Sequence, residues 1–106
     1  MKKWDNQKTE DLIDVILALE SKKEAKLFLR DLLTETELLE LGNRWKATRM
    51  LFDRAVYTEI IKETGLSSTT IARISKWIRE GMGGYDLMLK KLSKNHHRTL
   101  LRLRKS

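Results

Sequence analysis

Between Ser67 and Lys76 the chain carries three kinds of side chain with different chemistry. Ser67, Ser68 and Thr69 supply short hydroxyls, Ala72 a gap and a methyl, and Arg73 and Lys76 supply cations. Ile71, Ile74 and Ile78 recur at three and four residues, so on a helix they share the opposite side. A helix that is apolar behind and short-polar plus basic in front suits the major groove of duplex DNA. Its hydroxyls can bond to several bases, its methyls can meet thymine methyls, and its cations can meet phosphates. The same pattern also describes an ordinary helical hairpin with a solvated face.

Catalytic chemistry is poorly supplied. There is no Cys, which excludes disulfides and thiolate metal sites. His96 and His97 are adjacent, so on a helix they point about 100° apart, and no third ligand stands at a metal spacing. Gly81 to Gly84 (GMGG) lacks the preceding strand and the Lys-Ser/Thr of a phosphate loop. No catalytic residues, metal or cofactor are assigned, and no enzyme is expected.

The hydroxyl and cation set has to be held by a turn. Tyr57 to Thr64 reads as a helix with Ile60 and Ile61 on its apolar side. Gly65 closes it, because glycine enters the left-handed conformation without steric cost. Leu66 plugs the turn, and Ser67 caps the next helix with its hydroxyl. Tyr57–Ile78 is therefore a helix-turn-helix, whose second helix stops at the glycine cluster.

The elements before it are read from caps. Asp5 or Asn6 caps a first helix through about Leu19, whose apolar residues cover more than one stripe and predict burial on two sides. Ser21 with Glu24, and Thr34 with Glu37, are capping boxes opening two more helices. The third runs to about Phe52, with Leu38, Leu41, Trp45, Thr48 and Phe52 as its inner stripe. After the glycines, Tyr85, Met88, Leu89 and Leu92 define a last helix. The expectation is one all-α domain over 1–106. Core and dimerisation helices occupy 1–52, the helix-turn-helix 57–80, the last helix 85–97 and a basic tail 98–106.

Charge is unevenly placed. Residues 1–42 hold 7 Lys/Arg against 10 Asp/Glu, and residues 43–106 hold 15 against 5. The halves thus carry −3 and +10, and the basic half contains the helix-turn-helix. That split points to a polyanionic partner. No long apolar run and no signal-peptide core appear, so a cytoplasmic protein with no membrane partner is expected.

Three stretches, DLLTETELLELGNRWKATRML, IIKETGLSSTTIARISKWI and GMGGYDLML, resemble the Trp repressor-like family, and the last resembles its YerC/YecD-type branch. The resemblance covers about residues 30–90. It rests on Leu33, Thr34, Glu37, Leu41, Gly42 and Arg44 followed by the helix-turn-helix. It implies a six-helix Trp repressor-like fold in an intertwined homodimer with two DNA-reading heads. It also implies a tryptophan pocket, to which Thr34, Arg44, Thr70 and Arg73 correspond in residue type. Two pocket positions depart: Ile74 stands where the family has a glycine leaving room for the indole, and Trp77 where it has a small serine.

These readings combine into a sequence-specific DNA-binding transcriptional regulator, a repressor binding a near-palindromic duplex site as a dimer. Because Ile74 and Trp77 add bulk, tryptophan is not expected as corepressor. Expected DNA contacts are Ser67, Ser68, Thr69 and Ala72 on base edges, with Lys62, Arg73, Lys76, Arg79 and Arg44 on phosphates. Arg44 and Arg73 can instead pair with an acid such as Glu40 or Glu80. Two alternatives stay open. One is a protein- or RNA-binding module that keeps the helix-turn-helix as scaffold. The other is a regulator gated by another small effector in the pocket of Thr34, Arg44, Thr70, Arg73, Ile74 and Trp77.

Overall fold

The structure, a computed structural model, describes residues 2–93. Six helices form among the described residues: α1 (Gln7–Ala18), α2 (Lys22–Leu32), α3 (Glu35–Phe52), α4 (Tyr57–Thr64), α5 (Ser68–Glu80) and α6 (residues 84–93). The chain divides into two compact units, Met1–Leu39 and Glu40–Ser106, and α3 begins in the first and continues in the second. The expected ends of the last helix at residue 97 and of the basic tail, with His96 and His97, lie outside the described residues.

In the first unit the caps set the helix starts. Asn6 caps α1 in a reciprocal box with Thr9: the Thr9 N–H donates to the Asn6 side chain at 3.1 Å, and the Asn6 N–H to Thr9 Oγ1 at 3.0 Å. At α2 the Glu24 N–H donates to Ser21 Oγ at 3.1 Å as expected, but the Glu24 carboxylate accepts from the Glu20 N–H at 3.0 Å, one residue earlier than an ordinary box. None of α1 is buried. Ile13, Val15, Ile16 and Leu17 are all exposed, Leu17 at 78%. The burial expected for them on two sides is thus absent from the single chain.

The second unit holds the core. Ala47 from α3, Ile60 from α4 and Ile71 and Ile74 from α5 are buried together, flanked by Met50, Leu51, Ala55, Leu66, Ile78 and Tyr85. Tyr85, on α6, also tilts against Trp45 with ring centroids 6.5 Å apart. The inward side of α3 differs from the expected stripe. Ala47 and Thr48 are the buried positions, whereas Leu41 and Phe52 are 47% and 43% exposed. A small Ala lets backbones approach closely, and Thr48 satisfies its hydroxyl by donating to the Arg44 carbonyl at 2.7 Å.

The turn follows the reading above and adds a polar tie. Gly65 adopts φ 72°, and its N–H donates to the Ile61 carbonyl at 2.8 Å. Buried Thr64 donates to the Ile60 carbonyl at 2.7 Å and accepts from the Leu66 N–H at 3.2 Å. Gly81 ends α5 by donating to the Trp77 carbonyl at 2.9 Å. A Cβ at Gly81 would stand 2.5 Å from that same oxygen, so no larger residue fits the stop unchanged. Arg54, between α3 and α4, is the non-glycine residue at positive φ among the described residues, 65°.

Two substitutions at the positive-φ positions should differ in their effect on stability. Gly65→Ala should cost about 1 kcal/mol by placing a Cβ in the left-handed region. Arg54→Gly should relieve the same penalty and leave stability equal or raised by up to roughly 1 kcal/mol. Urea midpoints at constant m-value read both.

Candidate nucleic-acid interface

α5 is two-sided in the way its spacing requires. Ile71 and Ile74 are buried. Ser68, Thr69, Ala72, Arg73 and Lys76 are all exposed. Ser67 caps the helix: its Oγ accepts from the Thr70 N–H at 3.1 Å and donates to Thr70 Oγ1 at 3.0 Å. The Ser67 hydroxyl proton is thus committed to holding the helix start. Ser68 and Thr69 stand beside it without side-chain bonds among those the structure shows.

The cations differ in availability. Three ion pairs form among the described residues: Arg30 with Glu35, Arg44 with Glu40 and Lys90 with Asp86. Lys62, Arg73, Lys76 and Arg79 enter none of them, although Arg79 Nε donates weakly to the Ser75 carbonyl at 3.4 Å. Lys62 is exposed on α4, so the uncompensated cations sit on both helices of the motif. Arg44 is held differently. One of its terminal nitrogens donates to Glu40 Oε1 at 3.1 Å, and its Nε is buried with no partner. Glu40 offsets its charge, so Arg44 is less free than the other four cations.

The six positions that correspond to the family's effector pocket fall into separate roles. Thr34 lies in the first unit, the other five in the second. Thr34 completes the box that starts α3: Glu37 N–H donates to its Oγ1 at 3.1 Å, and its own N–H donates to Glu37 Oε1 at 2.9 Å. Thr70 is tied to Ser67, and Arg73 is exposed. Ile74 is 1% exposed within the core, whereas Trp77 is 43% exposed. Ile74 is therefore fully packed, and the indole of Trp77 is not.

The structure also shows a cavity that spacing did not reveal. It measures about 430 Å³ and is lined by Trp45, Arg49, Phe52, Asp53, Leu89, Leu92 and Ser93. Trp45 and Phe52 were assigned to the inner stripe of α3, but periodicity cannot say that α6 leaves space beside them. Among the described residues, no group of three His, Cys, Asp or Glu could hold a metal ion, and no helix is long and apolar enough to cross a membrane.

An all-α chain whose helix-turn-helix buries isoleucines behind and turns hydroxyls and unpaired cations outward has the architecture of a DNA-binding regulator. The chain belongs to the Trp repressor family, whose sequence model, described as Trp repressor protein, matches residues 7–93. That family consists of regulators, not enzymes. Over 87 residues it is 32% identical to the uncharacterized protein YerC of Bacillus subtilis (strain 168), covering 82% of this chain and 84% of that one, which supports the YerC-type branch. A TrpR-like protein from Eubacterium eligens ATCC 27750 superposes with a TM-score of 0.81 at 34% identity, over 86% of this chain and 94% of that one. A candidate Trp repressor from Staphylococcus aureus gives 0.79 at 27% identity, over 88% and 96%.

The Thr34–Glu37 box makes a pH-dependent contribution. The Thr34 backbone N–H, and then its hydroxyl, hold the Glu37 carboxyl below the ordinary glutamate range. A lowered folded-state pKa stabilises above the unfolded value and is lost as pH falls through the folded one. Glu37→Gln should therefore lower thermal stability at neutral pH and change little at the acid end, which flattens the acid limb of the profile. Melting temperatures of both proteins across the acid range would show it.

Proposed function

We propose that this chain is a sequence-specific transcriptional regulator, a repressor that binds a near-palindromic duplex site as a homodimer and does so without tryptophan. The observation that carries the DNA reading is the outer face of α5. Ser68, Thr69 and Ala72 stand exposed at its start, with Arg73 and Lys76 free of carboxylates among the described residues. Short hydroxyls and a methyl read base edges. Cations fix register and supply salt-dependent affinity. Because Ser67 is engaged as a cap, readout falls mainly on three positions, and DNA shape carries part of the specificity. Such a protein acts in the cytoplasm, where chromosomal DNA is accessible in a bacterium.

The apolar side of α1 supports the dimer. Ile13, Val15, Ile16 and Leu17 together expose area that contributes about 25 cal/mol per Å² when covered. A second copy of the chain supplies that cover and a second reading helix. Two heads about one helical turn apart then select a two-fold site that one short head could not.

Independence from tryptophan rests on Ile74. Its side chain is packed against Ala47, Ile60 and Ile71, where the family's glycine leaves room for an indole. Forcing a ligand into a filled core costs roughly 1–3 kcal/mol per overpacked site. That cost works against ordinary corepressor binding.

Selection of bound duplexes from a random pool should recover a two-fold motif, and light scattering should give the mass of a dimer. Arg73→Ala should weaken binding at every sequence and lower the salt slope by about 1, whereas Thr69→Ala should shift the recovered motif. An unaltered slope for Arg73→Ala would show the docking to be wrong. L-Tryptophan should produce no heat on titration at micromolar protein and no change in the selected motif. Micromolar binding would overturn the closed-pocket reading while leaving the DNA reading in place.

A further inference from the structure

Trp77 has no role among the expected DNA contacts, yet it is a large aromatic side chain left 43% exposed near the end of the reading helix. Its backbone carbonyl is used by Gly81, so its position is fixed, but its ring is not buried. The other tryptophan of the same unit, Trp45, is half-buried and packs on Tyr85. Trp77 is four residues after Arg73, so the two lie on one side of the helix, with Lys76 about 100° further round the exposed surface. Exposed tryptophans that combine a broad apolar face with one N–H donor serve as anchors where a partner is part apolar and part polar.

The charges beside the ring identify the partner. Neither Arg73 nor Lys76 has a carboxylate within 4.0 Å among the described residues. Glu80 stands one turn after Lys76, within reach of a pair although in the less favourable order, and no such pair is made. An apolar protein surface pressed on Trp77 would strip water from two uncompensated cations, a steep penalty. A sugar–phosphate backbone would not. Deoxyribose offers the ring an apolar surface, and the phosphates accept from the indole N–H and neutralise both cations.

We propose that Trp77 is a DNA-backbone contact. Its ring lies along a deoxyribose at the edge of the site, and its Nε1–H donates to a phosphate oxygen. This rests on the DNA reading and adds a non-ionic component to it. Such a contact releases no counterion, so it raises affinity at every sequence without steepening the dependence on salt.

The test uses the full chain labelled with 5-fluorotryptophan. Its three fluorine resonances, from Trp4, Trp45 and Trp77, are assigned by single Trp→Phe substitutions. On adding a mixed-sequence duplex, the Trp77 resonance should shift while that of Trp45 holds. Trp77→Ala should bind the duplex about tenfold more weakly at each salt concentration with an unchanged slope. Trp77→Phe, which keeps the ring face and loses the donor, should fall between. A Trp77 resonance that ignores saturating duplex, or undiminished affinity in Trp77→Ala, overturns the inference and leaves the DNA reading intact. A Trp77 resonance that moves with protein concentration alone also overturns it, because a second copy would then cover the ring. If the unsubstituted chain binds no duplex, the DNA reading and this contact both fall.

Discussion

The packing of Ile71 and Ile74 from α5 against Ala47 of α3 and Ile60 of α4 sets what the rest of the unit can do. A helix fixed along one side by filled, branched side chains cannot roll about its axis without opening a void, and interiors resist voids. That constraint decides which residues face outward. Ser68, Thr69, Ala72, Arg73 and Lys76 are exposed because the isoleucines are not. Ala47 contributes by being small: a larger residue there would push α5 outward and shift the whole outer face.

The turn between α4 and α5 works with this packing. Gly65 reverses the chain, and Thr64 satisfies both the end of α4 and the Leu66 N–H from a buried hydroxyl. Buried polar groups that are fully bonded add definition to a junction because the alternatives leave them unpaired. Ser67 then begins the next helix. Three residues of different chemistry within one four-residue stretch thereby fix the angle at which one helix hands over to the other.

Legibility in the sequence followed the range of the interaction. Asn6, Ser21, Thr34, Gly65 and Ser67 act within three or four residues of themselves, and the helix starts and the turn were readable from them. Even there the Glu24 carboxylate bonded to Glu20 rather than Ser21, a difference of one residue that pattern matching does not resolve. α3 was the least readable. It carries Leu38, Leu39, Leu41, Trp45, Met50, Leu51 and Phe52 around its circumference, so periodicity did not select the side on which Ala47 and Thr48 are buried. The candidate DNA contacts on α4 and α5 are exposed and Arg44 is half-buried, whereas the Ser67–Thr70 bond and the Arg44–Glu40 pair depend on rotamers. Composition says only that such partners are near. The 430 Å³ cavity depends on where α6 lies beside α3, which no local signal encodes.

The Ser67–Thr70 bond separates two kinds of work on one short helix. Hydroxyls that hold the helix start are distinct from those left facing outward, so the fold and its address are written in different letters. Ser68, Thr69 and Ala72 bear on no core contact and no cap. On the proposed DNA reading, a daughter copy arising by gene duplication could change those three residues and acquire a new operator without re-solving the folding problem. A change at Ser67 or Ile74, in contrast, would put the scaffold itself at risk. Divergence in such a lineage is therefore channelled: binding preference can drift quickly while the architecture that presents it stays still.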